Sequence, residues 1–211
     1  MLSIKKISKS FNLKKNKKNI VLKKFTKEIE LSTFNYIEGS NGSGKTTFFK
    51  ILSGDILPDE GELLFNGHRL INGDVAYIGT NDRSFYWRLS VFDNLAFFNN
   101  LFNTTDNMNI SLLMDELGIS DLKDKKFMDL SQGQKQKVNI CRGFLKKSKI
   151  IIFDEALSST DQEFKKTFKL KLEELLNKNQ KIIVFWASHD SEIIEDIMAK
   201  KIHAEEFLND G

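Results

Sequence analysis

The sequence has one cysteine, one proline and four arginines. Cys141 stands alone, so no intrachain disulfide can form, and the chain suits a reducing compartment. It lies in an apolar helical run, where a small core residue is the expected role rather than a nucleophile. Pro58 is the sole proline, and no Gly/Ser-rich linker or internal repeat divides the chain, so one domain is expected. No stretch approaches the ~18 uninterrupted apolar residues of a membrane span. Met1 to Lys9 lack the apolar segment of a secretory signal, and a cytoplasmic protein is expected. An excess of one charge is missing as well. Lys and Arg total 32 against 29 Asp and Glu, a net charge of +3, so no nucleic-acid partner is expected. The scarcity of arginine beside abundant Lys, Asn and Ile reflects AT-rich coding, and the lysine count carries no function of its own.

What is present is a folding composition. Of 211 residues, 40% are hydrophobic and 29% charged, enough to bury a sizeable core. Strand character runs over Leu2–Phe11, Ile20–Leu31 and Phe34–Ile37, with the basic run Lys14–Lys18 as a solvated turn. A helix is predicted over Thr46–Leu52, ending near Gly54. Glu62–Phe65 and His68–Ile71 flank Asn66 and Gly67, a strong hairpin signal. Val75–Ile78 reads as a strand, and Val91–Leu145 as helical throughout, with apolar residues three and four apart. Ile150–Phe153 and Ile182–Trp186 are short all-apolar runs, as buried parallel strands are. Helices are predicted at Phe164–Leu176 and Glu192–Ala199. The expected fold is α/β. It has a largely parallel sheet with flanking helices, an antiparallel β part and an inserted α-helical subdomain. The core would take about 1–84 and 146–211, and the helical subdomain about 85–145.

Gly39, Ser40, Asn41, Gly42, Ser43, Gly44, Lys45 and Thr46 spell G-x-x-x-x-G-K-[ST], a P-loop, with Thr47 following in the helix. Glycine lets backbone N–H groups close around phosphates at a helix N-terminus. Lys45 supplies a point charge for the β- and γ-phosphates, and Thr46 a hydroxyl for Mg2+. An apolar strand before the loop and a helix after it are the context this reading requires. A second site stands behind Ile150–Phe153. There Asp154 would sit at the C-terminal sheet edge, suited to Mg2+, and Glu155 could polarise a water for attack on the γ-phosphate.

Leu130-Ser131-Gln132-Gly133-Gln134 lies between these two motifs and precedes a helix. Here the chain resembles the nucleotide-binding subunits of ATP-binding cassette (ABC) transporters, whose signature is Leu-Ser-Gly-Gly-Gln; the one departure is Gln132. The resemblance covers nearly the whole chain. It implies an ATPase with ATP and Mg2+. Ser131, Gly133 and Gln134 would act on the γ-phosphate of a second nucleotide-binding subunit's ATP. Phe11 stands where the family stacks an aromatic on adenine. Ser158-Ser159-Thr160-Asp161 is similar to the D-loop, with Asp161 the position carried over most securely. His189 matches the switch histidine at the γ-phosphate, whereas His68 and His203 read as structural. Asn81 matches the glutamine that contacts Mg2+ or the attacking water, with the same amide on a stem one methylene shorter. The resemblance also implies a head-to-tail dimer and a transmembrane permease subunit, which would hold the protein at the inner face of the membrane. Arg83–Leu89 resembles an exporter branch, and its Phe85-Tyr86-Trp87 cluster fits core packing and permease docking equally. Two other classes stay open: a soluble ABC ATPase outside transport, and a weakly hydrolysing regulatory module.

Overall fold

The computed structural model describes residues 1–12, 18–80, 84–102, 109–177, 181–188 and 199–208. β1 (Leu2–Asn12) and β2 (Lys18–Ile29) are antiparallel, with Leu2 opposite Ile29 and Phe11 opposite Asn19. β3 (Thr33–Glu38) leads through the P-loop into α1 (Lys45–Ser53). β4 (Glu60–Phe65) and β5 (His68–Arg69) are the expected hairpin; Asn66 (φ 50°) and Gly67 (φ 82°) both take the left-handed conformation its two-residue turn demands. β6 (Val75–Ile78) is followed by α2 (Val91–Leu101), α3 (Ile110–Glu116) and α4 (Gln132–Leu145). β7 (Ile150–Asp154), α5 (Gln162–Asn177), β8 (Ile183–Ala187) and β9 (Lys200–His203) complete the order.

Two sheets result. The antiparallel one runs β2-β1-β4-β5, and the parallel one β6-β7-β8-β3-β9. The α/β expectation with both sheet types holds. The parallel sheet separates two cores. On one face Ile150 and Ile152 of β7 and Ile183 and Phe185 of β8 pack with α1 and the antiparallel sheet. On the other, Ile151, Phe153, Val184 and Trp186 pack with α2, α3, α4 and α5. Strand side chains alternate between faces. Because both faces are buried, the alternation leaves no polar trace in the sequence.

The middle of the chain departs from the helical expectation. Gly118 (φ 64°) ends α3, and Ile119 N–H returns to the Met114 carbonyl (2.9 Å), a left-handed helix stop. Two short 3-10 turns, Ser120–Leu122 and Phe127–Asp129, then carry the chain to α4. The segment before α2 pairs with this stretch: Phe127 N–H donates to Leu89 O and Met128 N–H to Trp87 O. β9 and the 3-10 turn Ala204–Leu208 were not anticipated. The helix expected at Glu192–Ala199 lies, but for its last residue, outside the described residues.

The α1 core is aromatic. Phe48 is fully buried, edge-on to Phe25 (5.6 Å) and Phe185 (5.9 Å) and tilted against Phe207 (5.1 Å). Phe48→Ala is expected to cost about 3–5 kcal/mol, because these rings cannot all collapse into the space left. Urea unfolding measures this, and a loss below about 1 kcal/mol would show a core that repacks freely.

Candidate functional site

The P-loop turns the chain from the end of β3 into α1. Gly42 (φ 81°) and Gly44 (φ 100°) hold left-handed conformations, and Gly44 is the N-cap of α1. The approach is close at the loop's start too: a Cβ on Gly39 would stand 2.6 Å from the Ala204 Cβ. Lys45 is buried, and its ammonium donates to Gly39 O (2.6 Å) and Ser40 O (3.0 Å), so two of its three N–H groups brace the loop. Ser43 Oγ is buried without a partner among the described residues, a polar group placed for an acceptor or donor from outside the chain.

Around this loop lies a cleft of about 300 Å³. It is lined by Phe11 and Asn19 from the antiparallel sheet, Asn41 to Thr47 from the loop and α1, and Asp154 and Glu155 from the end of β7. Three separate stretches of sequence therefore meet at one space. Phe11 is 38% exposed, its ring open to the cleft side of β1. A second cavity of about 820 Å³ shares Thr46, Asp154 and Glu155 and adds Tyr77, Gly79, Thr80, Ser84 and Arg142.

Asp154 is 7% exposed, and Tyr77 on β6 donates its hydroxyl to Asp154 Oδ2 (2.9 Å). Burial first, then the Asp154 carboxylate, push the Tyr77 phenol well above its ordinary range, so it stays a donor. Glu155 has φ 55°, left-handed and strained for a non-glycine residue, and its N–H is held by Ala187 O (2.9 Å) on β8. Such strain costs on the order of 1–3 kcal/mol and concentrates at functional positions.

The signature residues sit elsewhere. Ser131 caps α4, accepting from Gln134 N–H (3.2 Å), while Gln134 Oε1 accepts from Ser131 N–H (3.0 Å), a full capping box. Neither residue lines the cleft, nor does Gly133. A Cβ on Gly133 would lie 2.5 Å from Ser159 O, so the first turn of α4 rests on the 158–161 segment of its own chain. Asp161 caps α5 through Phe164 N–H (2.9 Å) and pairs with Lys137 of α4 (2.5 Å). Lys137 and the Phe164 N–H hold the Asp161 carboxyl below its ordinary range. Asn81 and His189 lie outside the described residues.

The aromatic cluster divides. Phe85 is core, stacked on Phe127 at 4.3 Å, whereas Tyr86 and Trp87 are each 49% exposed. Tyr86 meets the exposed Phe97 edge-on (4.9 Å), and Leu89 and Met128 extend the same apolar surface. Asn94 of α2 fixes the segment from within. It accepts from Tyr86 N–H (2.8 Å) and donates to the carbonyls of Tyr86 (3.0 Å) and Ser90 (2.9 Å). Sequence reasoning passed over Asn94, and Gln136 and Asn139, which both donate to Gly79 O from α4 (3.1 and 2.8 Å). Polar residues on the apolar face of an amphipathic helix were the available signal. Arg142 was also missed. It stacks on Phe85 (4.8 Å) and bonds Ser84 and Asn139, and burial draws its guanidinium down to about 10.

The chain is similar to known proteins. The chain is 32% identical over 166 residues to the spermidine/putrescine import ATP-binding protein PotA of Mycoplasma capricolum, covering 73% of this chain and 46% of that protein. It is 33% identical over 138 residues to the cytochrome c biogenesis ATP-binding export protein CcmA of Reclinomonas americana, covering 63% and 62%. The chain thus spans about half the length of the polyamine import proteins it matches. Its fold follows a dimeric ATP-binding cassette solved in a post-hydrolysis state with ADP and Pi, at a TM-score of 0.82 and 20% identity over 100% of this chain and 95% of that one. Residues 22–158, well over half of the sequence, match the family described as ABC transporter, and the chain belongs to that family.

Proposed function

We propose that this chain binds and hydrolyses ATP as the motor subunit of an ABC membrane transporter. The observation that carries the reading is the single cleft on which Phe11, the P-loop, Asp154 and Glu155 converge. The adenine would stack on Phe11. The N–H groups of Gly42 to Thr46, at the N-terminus of α1, would cradle phosphate with Ser43 Oγ and Lys45. Thr46 and Asp154 fit a divalent cation. A hydroxyl and one carboxylate suit Mg2+, an ion carried by one or two carboxylates and substrate phosphates. When bound, Mg2+ would neutralise charge on the phosphates. Glu155 would orient a water and take its proton. Asn81 and His189 would complete the surroundings of the γ-phosphate.

Ser131, Gly133, Gln134 and Asp161 would serve a second copy or a paralogue. They lie where the starts of α4 and α5 meet, off this chain's own cleft, as a head-to-tail pair of subunits requires. ATP would stabilise the closed pair, and hydrolysis would remove that stabilisation. The division into a core (1–84 and 146–211) and a helical part (85–145) serves this cycle. The exposed Tyr86–Trp87–Leu89 surface, pinned by Asn94, would dock a transmembrane permease. No helix of the described residues is long and apolar enough to cross a membrane. Export is our reading of direction, resting on Arg83–Leu89; the named relatives include one import and one export protein.

Lys45→Ala tests nucleotide binding directly. A charge-assisted contact is worth about 1.5–3 kcal/mol, so ATP affinity by calorimetry should fall about 10- to 100-fold. Unchanged affinity would remove the P-loop assignment. Co-purification of the wild-type chain with a membrane protein, and stimulation of its ATPase by it, tests the transport role.

A further inference from the structure

We propose that Tyr77 is a positioning residue for the metal, acting through the carboxylate of Asp154. The inference rests on the reading of Asp154 as the carboxylate that receives Mg2+. Asp154 stands at the last position of β7, and Tyr77 lies on the neighbouring parallel strand β6 in register with Ile152, two residues before it. The hydroxyl donates to Oδ2 at 2.9 Å. A carboxylate so held loses rotation about its terminal bond and keeps its second oxygen in a set direction. Second partners of this kind orient metal ligands and raise their affinity. The phenol is itself held. A Cβ on Gly79 would lie 3.0 Å from the Tyr77 Oη and 3.1 Å from Cε1, so the ring lies flush against a position where only glycine leaves it unshifted. Gly79 in turn is gripped through its carbonyl by Gln136 and Asn139 of α4. The hydroxyl thus has little freedom to leave Asp154, and the residues that fix it belong to the helix that begins at the signature.

No step of hydrolysis requires Tyr77 to touch ATP or exchange a proton. Its contribution is orientation, and the readout should isolate the metal. The quantity to measure is the factor by which Mn2+ tightens binding of a non-hydrolysable ATP analogue, from calorimetry with Mn2+ and with EDTA. Tyr77→Phe keeps the ring against Gly79 and removes the hydroxyl. It should shrink that factor by about tenfold, while affinity in EDTA and the melting temperature stay at wild-type values. A structural role alone would move the melting temperature and the EDTA affinity instead. Gly79→Ala, which displaces the phenol rather than deleting it, should shrink the factor in the same direction by less, and it serves if Tyr77→Phe folds poorly. Asp154→Asn calibrates the measurement. If Asp154→Asn reduces the Mn2+ factor and both Tyr77→Phe and Gly79→Ala leave it unchanged, the positioning role is wrong. If Asp154→Asn leaves the factor unchanged, the reading of Asp154 falls, and the inference with it.

Discussion

Glu155→Gln is expected to leave ATP binding near wild type and to slow hydrolysis by a factor of about 10²–10⁴, the usual contribution of a general base. The substitution changes little else. Glutamine has nearly the volume of glutamate and the same backbone restrictions, so the left-handed conformation at φ 55° and the N–H bond to Ala187 O should survive. Lys45 is placed by the Gly39 and Ser40 carbonyls, which the substitution leaves in position. The amide can still donate to a water, but it cannot take the proton. With binding kept and turnover blocked, ATP-bound subunits should accumulate as a closed dimer. Phosphate release, calorimetry and gel filtration with ATP give the three readouts. Wild-type turnover in the mutant would sink the assignment of Glu155. A wild-type chain that binds ATP but barely hydrolyses it, with the mutant indistinguishable, would instead favour the regulatory module.

The parts of this site that the sequence disclosed are those whose chemistry is local. The P-loop is a contiguous run whose glycines answer a backbone need, and Asp154 and Glu155 follow a strand too apolar to be anything but buried. β7 and β8 were legible for the same reason, although which of their residues faced which core was not. β9 was illegible. In Lys200-Lys201-Ile202-His203 only Ile202 is buried, so its strand state comes from pairing beside β3 and from the Ala204 and Phe207 contacts that close the core under the P-loop. Those are tertiary causes with no periodic trace. The 118–131 stretch misled because its buried residues, Ile119, Leu122, Phe127 and Leu130, recur at three- to five-residue steps and imitate a helix. Gly118 was the contrary signal. Tyr77 was missed because a tyrosine within an apolar strand reads as core; its hydroxyl still needed a partner, which is where the question lay.

Ser131→Arg is expected to abolish the ATP-dependent dimer and to leave monomer binding of ATP intact. The choice of residue follows from what each signature position does within its own chain. Gly133 is a poor probe, since any Cβ there strikes Ser159 O at 2.5 Å, and a lost dimer could then mean a displaced 158–161 segment. Gln134 is occupied with the capping box. Ser131 is exposed at the tip of α4, so an arginine there would extend into solvent in the monomer without entering either core. Its local cost is the lost cap, about 1 kcal/mol, and Ser131→Ala carries that same cost without the bulk. The pair of variants therefore separates helix stability from closure. In a Glu155→Gln background, where the dimer should be most persistent, Ser131→Ala should weaken it and Ser131→Arg should eliminate it, because the guanidinium would block the surface proposed to close on the second subunit's γ-phosphate. Gel filtration with ATP reads the dimer, and calorimetry reads the monomer. Ser131 does not line its own chain's cleft, so the monomer affinity of both variants should match wild type. A fall in monomer affinity would place Ser131 in its own chain's nucleotide site, and a dimer that survives Ser131→Arg would reject closure across the signature.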